Sequence, residues 1–173
     1  NAISTLSAMG IVDGYEDGLF RPDKAVSRAE FTAIAVRFFD YSASYDGEFI
    51  DIDGDEWYAD YVQAAADMGL VDGYSDGSFG PEDSITRAEA VAIVNRVLNR
   101  APDEDYLLDE DEMITWPDNP QSAWYYLDMQ EATNSHKYSW LEADGEKVEI
   151  WTEKIDERDW DALEKEWSSA YSG

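Results

Sequence analysis

A long motif occurs twice in this chain at a constant spacing. Residues 9–22 read MGIVDGYEDGLFRP, and residues 68–81 read MGLVDGYSDGSFGP. Each copy is followed by a shared tetrapeptide, Ser-Arg-Ala-Glu at residues 27–30 and Thr-Arg-Ala-Glu at residues 86–89. Both pairs are offset by 59 residues, since position 14 aligns with 73 and position 28 with 87. A fixed period of this length is typical of repeat proteins, so the unit to interpret is the repeat.

Each copy has the pattern of a helix, a long loop and a second helix. Residues 2–9 and 58–68 are predicted to form the first helices, because small and apolar side chains recur there at helical spacing. The loop motif, Gly-Tyr-x-Asp-Gly-x-Phe-x-Pro, is rich in turn residues. The second helices are predicted to begin at Ser27 and Thr86, where Ser/Thr-x-x-Glu fits a capping box. These patterns predict a fold that is mainly α.

A third, divergent copy is predicted in the last part of the sequence. Residues 116–125 (WPDNPQSAWY) resemble residues 49–58 (FIDIDGDEWY) at an offset of 67 residues. Neither the loop motif nor Thr-Arg-Ala-Glu follows, although residues 156–171 have the apolar spacing of a helix. The predicted organisation is repeat 1 at residues 1–48, repeat 2 at residues 49–100, an acidic linker at residues 101–113 and repeat 3 at residues 114–173. Repeat 1 has no equivalent of Trp57, so it is predicted to be incomplete at its N-terminal end.

The charge and composition of the chain exclude several classes of function. The formal net charge is −28, and a nucleic-acid backbone needs a positive surface, so no nucleic-acid partner is expected. No apolar run approaches the roughly 18 residues of a membrane helix, so no membrane insertion is expected. There is no cysteine, and the single histidine, His136, is predicted to be an ordinary surface or loop residue. Zinc binding and histidine-based catalysis are therefore not expected.

The arginine of the shared tetrapeptide is not explained by helix capping. Arg28 and Arg87 occupy the first helical position, where a cation opposes the helix dipole. One explanation is an external anion, because backbone amides at a helix N-terminus already point outward and a guanidinium adds two hydrogen bonds. The other explanation is an ion pair between neighbouring repeats. The first is favoured here, and both stay open.

The order of these motifs resembles that of the S-layer homology (SLH) domain. In both, Phe-x-Asp and Trp-Tyr precede a helix, the loop motif follows, and Thr-Arg-Ala-Glu opens a second helix. The resemblance is strong over residues 1–100 and weaker over residues 114–173. It implies a pseudo-threefold arrangement of three helix-loop-helix repeats around a central three-helix bundle, with grooves between the repeats.

The resemblance also implies a function. SLH domains are non-covalent anchors that bind secondary cell-wall polysaccharide, so the expected partner is an anionic, pyruvylated wall polymer. The expected location is the cell wall or surface of a bacterium, expected to be Gram-positive, after secretion as part of a larger surface protein. The module is not expected to be an enzyme or to need a cofactor, because no pair of nucleophile and base recurs in the repeats.

The resemblance places the polysaccharide-binding residues in the grooves. They are the tetrapeptide arginines, the tryptophans before the first helices, and residues of the loop motif: Arg28, Arg87, Trp57, Trp124, Gly14, Tyr15, Gly73 and Tyr74. Because the grooves lie between repeats, Arg28 is paired with Trp57 and Arg87 with Trp124 as a hypothesis. A guanidinium suits the planar carboxylate of a pyruvate ketal, and tryptophan offers a flat apolar face to a sugar ring.

Two other classes of binding module stay open. An acidic surface also suits a protein-interaction module or the assembly of a surface-layer lattice, with or without calcium. Asp51, Asp53 and Asp55 offer oxygens at the first, third and fifth positions of an EF-hand-like loop. However, Glu56 replaces the glycine of that loop and Val62 replaces its bidentate acid, so these aspartates are weak metal candidates and helix capping is favoured.

Overall fold

The computed structural model describes residues 2–143, 145–156, 159, 161–163, 165 and 166. Within these residues the elements are α1 (Ala2–Ala8), α2 (Arg28–Val36), α3 (Ala59–Asp67), α4 (Arg87–Val97), a 3-10 helix (Glu104–Tyr106), α5 (Tyr126–Thr133), β1 (His136–Ala143) and β2 (Glu146–Lys154). The prediction of a mainly helical chain is confirmed for the described residues. None of their helices has the length and apolar character needed to cross a bilayer. The predicted helix at residues 156–171 lies largely outside the described residues.

The second helices begin at the predicted capping boxes. In α2 the Ser27 hydroxyl accepts a hydrogen bond from the Glu30 amide at 3.2 Å, and the Glu30 carboxylate accepts one from the Ser27 amide at 2.8 Å. Thr86 and Glu89 make the same two bonds at the start of α4, at 3.2 and 2.9 Å. Each box satisfies amides that the first turn of a helix leaves without partners.

The two loop motifs have the same backbone geometry. In repeat 2 the Tyr74 amide donates to the Ser78 carbonyl at 2.7 Å, and Asp76 accepts from the Ser78 amide at 3.0 Å. Gly77 has a φ of 87°, which a side chain would disfavour. The equivalent tyrosine, aspartate and glycine of repeat 1 repeat these features at Tyr15, Asp17 and Gly18. The loop is therefore a rigid turn that the sequence specifies locally.

The hydrophobic core lies mainly within repeats 1 and 2. Helix α2 packs against α3 and α4, and α4 also packs against α5. Val62 and Phe79 are fully buried at the centre, and the Phe49 ring meets Phe79 with centroids 5.3 Å apart. The alanines of α3, among them Ala59 and Ala65, let the helices approach closely. The pseudo-threefold arrangement around a central three-helix bundle stays a prediction.

Repeat 3 follows α5 with a β-hairpin instead of the loop motif. Strands β1 and β2 pair antiparallel, with an irregularity between Lys137 and Tyr138. The acidic linker contacts this hairpin, because the Glu149 amide donates to the Ala101 carbonyl at 2.9 Å. Residues 137–140 alternate polar and apolar side chains, and Asp-Gly follows at residues 144 and 145, which is a hairpin signal. The helix-loop-helix prediction for repeat 3 overlooked that alternation.

Candidate functional site

Arg28 is buried at the boundary between repeats 1 and 2. Its side chain is only 8% exposed and makes an ion pair with Glu89, Nη1 to Oε1, at 2.9 Å. Its Nη2 donates to the carbonyl of Asp72 at 2.6 Å. The guanidinium also lies over two rings of repeat 2, Tyr74 at 5.0 Å and Phe79 at 4.7 Å. Arg28 therefore forms an ion pair between neighbouring repeats. This was the second of the two explanations for the arginine of the tetrapeptide, the first being an external anion.

The backbone at the start of α2 is closed by the same neighbour. The amides of Arg28 and Ala29 donate to the carbonyls of Asp83 at 2.8 Å and Pro81 at 3.1 Å. These amides belong to the first turn, which has no acceptors of its own. Repeat 2 thus occupies both the side chain and the amides at the N-terminus of α2.

Whereas Arg28 is buried, Arg87, the equivalent residue in repeat 2, is exposed. Its side chain is exposed, and among the described residues it has no hydrogen bond, ion pair or ring contact. The amides of Arg87 and Ala88 likewise have no acceptor in the described part of the chain. The N-terminus of α4 therefore has one exposed guanidinium and two amides without acceptors among the described residues. Such a combination favours an anion, because the helix dipole adds to the guanidinium charge.

Each loop tyrosine is bonded to the capping glutamate of its own repeat. The Tyr15 hydroxyl donates to Glu30 at 2.8 Å, and the Tyr74 hydroxyl donates to Glu89 at 3.3 Å. Burial acts to raise the pKa of Glu89, but hydrogen bonds from Thr86 and the positive charge of a neighbouring arginine hold that pKa below its usual value. The carboxylate is thus kept ionised beside the repeat boundary.

In repeat 1 a lysine contacts the tyrosine and the glutamate equivalent to those that Arg28 contacts in repeat 2. Lys24 Nζ lies 2.9 Å from the Glu30 carboxylate and 4.6 Å from the centroid of the Tyr15 ring. Arg21 covers the same ring at 4.6 Å. The tyrosine and glutamate of repeat 1 are therefore capped by cations of their own repeat.

Gly14 and Gly73 occupy the same position in the two copies, and steric contacts explain why both copies have a glycine there. A Cβ at Gly14 would lie 3.0 Å from the Leu19 carbonyl oxygen. A Cβ at Gly73 would lie 2.6 Å from the Phe49 ring and 3.0 Å from the Ser78 carbonyl oxygen. Both glycines are needed for the tight turn itself, so the structure gives them a role in the fold.

Trp57 and Trp124 have equivalent and exposed positions. Their residues are 55% and 64% exposed, and each ring meets the following tyrosine edge-on with centroids 5.4 Å apart. Arg28 lies over rings of repeat 2 other than Trp57, and no hydrogen bond or ring contact joins the two among the described residues. The pairings of these tryptophans with Arg28 and Arg87 stay predictions.

The aspartates of the weak calcium candidate have local partners. Asp51 accepts hydrogen bonds from the amides of Phe79 at 2.7 Å and Gly80 at 2.8 Å, so it braces the loop of repeat 2. Asp53 accepts a long hydrogen bond from the Asp55 amide at 3.4 Å. Among the described residues, these three carboxylates do not converge as a metal-ligand group.

A second repeated arginine was missed by the sequence analysis. Arg37 Nη1 donates to the Ile11 carbonyl at 3.2 Å, and Arg96 Nη1 donates to the Leu70 carbonyl at 3.0 Å. Each also forms an ion pair with the aspartate two residues beyond that carbonyl. The 59-residue offset relates Arg37 to Arg96, and it also relates the carbonyl and the aspartate that each arginine contacts. Applying that offset to all charged residues would have found these arginines, which tie each second helix to its own loop.

Residues 1–32 and 48–91 match the family model of the S-layer homology domain. The chain belongs to the SLH domain family. The match lies in repeats 1 and 2, which carry the loop motif and the tetrapeptide. It does not extend into repeat 3, where the hairpin replaces the loop of the SLH repeat.

Several bacterial surface proteins are similar to this SLH chain. The cellulosome-anchoring protein of Acetivibrio thermocellus is 32% identical over 161 residues, covering 90% of this chain and 34% of that protein. The surface layer protein of Brevibacillus choshinensis is 34% identical over 105 residues, 58% of this chain and 9% of the relative. Endo-1,4-beta-xylanase A of Thermoanaerobacterium saccharolyticum is 42% identical over 91 residues, 51% of this chain and 8% of the enzyme. This chain thus spans about a third or less of these relatives, and the enzyme matches only through its SLH region.

The predicted third repeat holds a buried charged cluster. It consists of Arg100 after α4, Glu131 on α5, and His136 and Glu149 on the hairpin. The prediction that His136 is a surface or loop residue is wrong. Its side chain is 2% exposed and its ring stacks on Trp151 with centroids 3.8 Å apart. The reason is the hairpin, which turns the first residue of β1 toward α5.

The two carboxyl groups of this cluster differ in their electrostatics. Burial and the neighbouring charge of Glu149 raise the pKa of Glu131 to about 7. Burial acts to raise the pKa of Glu149 as well, but the hydrogen bonds and the positive charge of Arg100 hold that pKa below its usual value. Glu131, His136 and Glu149 are the group among the described residues whose ligand atoms lie close enough to hold a metal ion.

Proposed function

We propose that this chain is a non-covalent anchoring module that holds a larger protein at the bacterial cell surface by binding an anionic wall polysaccharide. The SLH repeats and the cellulosome-anchoring and surface-layer relatives support the anchoring role. The observation that carries the choice of ligand is the open N-terminus of α4. There, the Arg87 side chain is exposed, and neither it nor the amides of Arg87 and Ala88 have partners among the described residues.

A carboxylate on the polymer fits this open end. A guanidinium can donate two parallel hydrogen bonds to a planar carboxylate such as that of a pyruvate ketal, and the helix amides add further donors. The overall charge of −28 opposes an anionic polymer at long range. At physiological salt, however, charges act strongly only within about 8 Å, so a local arginine can outweigh distant carboxylates.

The exposed tryptophans supply the apolar half of the proposed site. Trp124 is 64% exposed, and its indole face can stack on a sugar ring. A pseudo-threefold arrangement of the repeats would bring Trp124 and Arg87 into one groove at the boundary of repeats 2 and 3. Because Arg28 is buried in an ion pair, its role in the proposal is to hold repeats 1 and 2 together, with Tyr74 as its stacking partner.

The test is co-sedimentation of the chain with purified bacterial wall sacculi, before and after acid extraction of the secondary polymer. Wild-type binding should disappear after extraction. Arg87→Ala should weaken binding by at least about tenfold, the usual cost of losing a charged hydrogen bond. Arg87→Lys should also weaken it, because an ammonium cannot make the bidentate contact.

The matched control is Arg21→Ala, an exposed arginine that pairs locally with Asp17. That variant should bind like the wild type. Binding that survives both extraction and the Arg87 substitutions would contradict the proposal and would instead indicate a protein-interaction or lattice-assembly module. Pyruvylation is tested separately, by comparing sacculi whose polymer carries the ketal with sacculi whose polymer lacks it.

A further inference from the structure

In the buried cluster of repeat 3, three acceptor atoms converge on one donor nitrogen. A single nitrogen, Arg100 Nη2, lies 2.6 Å from Glu131 Oε1, 2.9 Å from His136 Nε2, and in contact with Glu149 Oε1. A guanidinium Nη carries two hydrogens, so it cannot bond all three atoms at once. Glu131 Oε2 is buried and has no hydrogen-bond partner among the described residues. Glu131 Oε2 is therefore available to bind a further cation.

The orientation of His136 is that of a metal-binding histidine. Its Nδ1 lies 2.7 Å from the backbone carbonyl of Asn134. Because a carbonyl can only accept, Nδ1 carries a hydrogen and donates it, which leaves the lone pair of the neutral ring on Nε2. Such a bond to a backbone carbonyl fixes the ring of many metal-ligating histidines. The Trp151 ring stacks on the face of the imidazole and helps to hold it in this orientation.

Two of the three distances between the candidate ligand atoms are close to those around a small tetrahedral ion, and all three atoms lie within 4.8 Å of one another. His136 Nε2 lies 3.1 Å from Glu149 Oε1 and 3.5 Å from Glu131 Oε2. Zinc bonds to nitrogen and oxygen of about 2.0–2.1 Å would separate tetrahedral ligands by about 3.3–3.4 Å. The unpartnered Glu131 oxygen is one of these atoms, so the geometry and the missing hydrogen bond point to the same place.

We propose that Glu131, His136 and Glu149 bind a divalent transition-metal ion, with Zn²⁺ as the best match to imidazole and carboxylate ligands. In the metal-free protein Arg100 provides the positive charge. A divalent ion would balance both carboxylates in their ionised form. Arg100 Nη2 lies between the ligand residues, so this side chain, which is 19% exposed, must move when the ion enters. The ion would tie α5 to both strands of the hairpin.

This inference does not depend on the wall-binding proposal, because none of these residues belongs to the open end of α4. The test is calorimetric titration of the chelator-treated 173-residue chain with ZnCl₂, together with its thermal unfolding. One tightly bound Zn²⁺ per chain and a raised unfolding temperature are expected. His136→Gln and Glu149→Gln should each weaken this binding by at least tenfold. Asp109→Asn, which changes an exposed acidic residue, is the control for ions held by the acidic surface and should bind Zn²⁺ as the wild type does.

Arg100→Gln separates a metal site from a purely structural ion-pair cluster. It keeps all three ligands and removes the competing cation, so it should lower the unfolding temperature without metal and increase both the affinity for Zn²⁺ and the stabilisation by it. Calcium should not substitute, because it prefers oxygen ligands. The proposal is overturned if the wild type binds Zn²⁺ no more tightly than His136→Gln, or if Zn²⁺ does not restore the stability of Arg100→Gln.

Discussion

The N-termini of α2 and α4 have the same sequence motif and the same capping box, yet one is closed and the other is open. Arg28 is buried against Glu89 and the rings of repeat 2, and its neighbouring amides donate to backbone carbonyls. Arg87 is exposed and has no partner among the described residues. Identical local structure therefore leads to two different chemical states.

The cause of the difference is the repeat that follows each helix. The partners of Arg28 all belong to repeat 2 and lie in its second helix or in and beside its loop motif. Repeat 3 lacks both motifs and has a hairpin in their place, so Arg87 has no equivalent partners. In a repeat protein, an arginine at one position is thus structural or available for a ligand according to its neighbour.

The largest expected effect is on stability at the closed end. Arg28→Met keeps much of the side-chain volume but leaves Glu89 without its cation in a nearly buried site, and such a loss costs about 3–5 kcal/mol. Arg87→Met should change the free energy of unfolding by less than about 0.5 kcal/mol, because its side chain is exposed. Urea unfolding of both variants measures the difference. Equal effects would mean that the two ends are not in different states.

A smaller effect is expected at the two loop glycines. Gly73→Ala would place a methyl group 2.6 Å from the Phe49 ring, so the core of repeat 2 must shift. Overpacking of this kind costs about 1–3 kcal/mol. Gly14→Ala meets only the Leu19 carbonyl oxygen, at 3.0 Å, and should cost less. Urea unfolding of the two variants under the same conditions checks the order, and a larger loss for Gly14→Ala would contradict it.

The sequence predicted those features that depend on residues close in the chain. The capping boxes at Ser27 and Thr86 and the turns of the loop motif need only a few consecutive residues, and all were found where expected. The closed state of Arg28 depends on Glu89, 61 residues away, so the motif could only leave an ion pair as one of two explanations.

The features that were missed depend on distant pairing. His136 has no neighbours in the sequence that suggest burial, and its environment exists only because the hairpin brings Glu149 and Trp151 beside it. The 59-residue period also ends before repeat 3, so the structure of that repeat could not be predicted from the first two. The alternation in residues 137–140 and the Asp-Gly that follows were the available signals for the hairpin, but they do not predict which side faces α5.

The smallest expected effect concerns the pH dependence of the two capping glutamates. Hydrogen bonds and a nearby cation hold the pKa of Glu89 and of Glu30 below the usual value, despite the opposing effect of burial. A lowered pKa in the folded state contributes stability above the unfolded pKa, and that stability is lost as the pH falls through the folded pKa. The wild type should therefore lose stability in acid, and the advantage over Glu89→Gln should shrink as the pH falls from neutral to below about 4.

Glu30→Gln is the matched variant at the other capping box. Its cation, Lys24, has a side chain that is 44% exposed, whereas the Arg28 side chain beside Glu89 is 8% exposed. Water weakens a pair more when it reaches either partner, so the pH-dependent difference should be smaller for Glu30→Gln than for Glu89→Gln. Urea unfolding of the three proteins across this pH range makes the comparison. If the two variants lose the same pH-dependent stability, burial at the boundary of repeats 1 and 2 adds nothing to the ion pair.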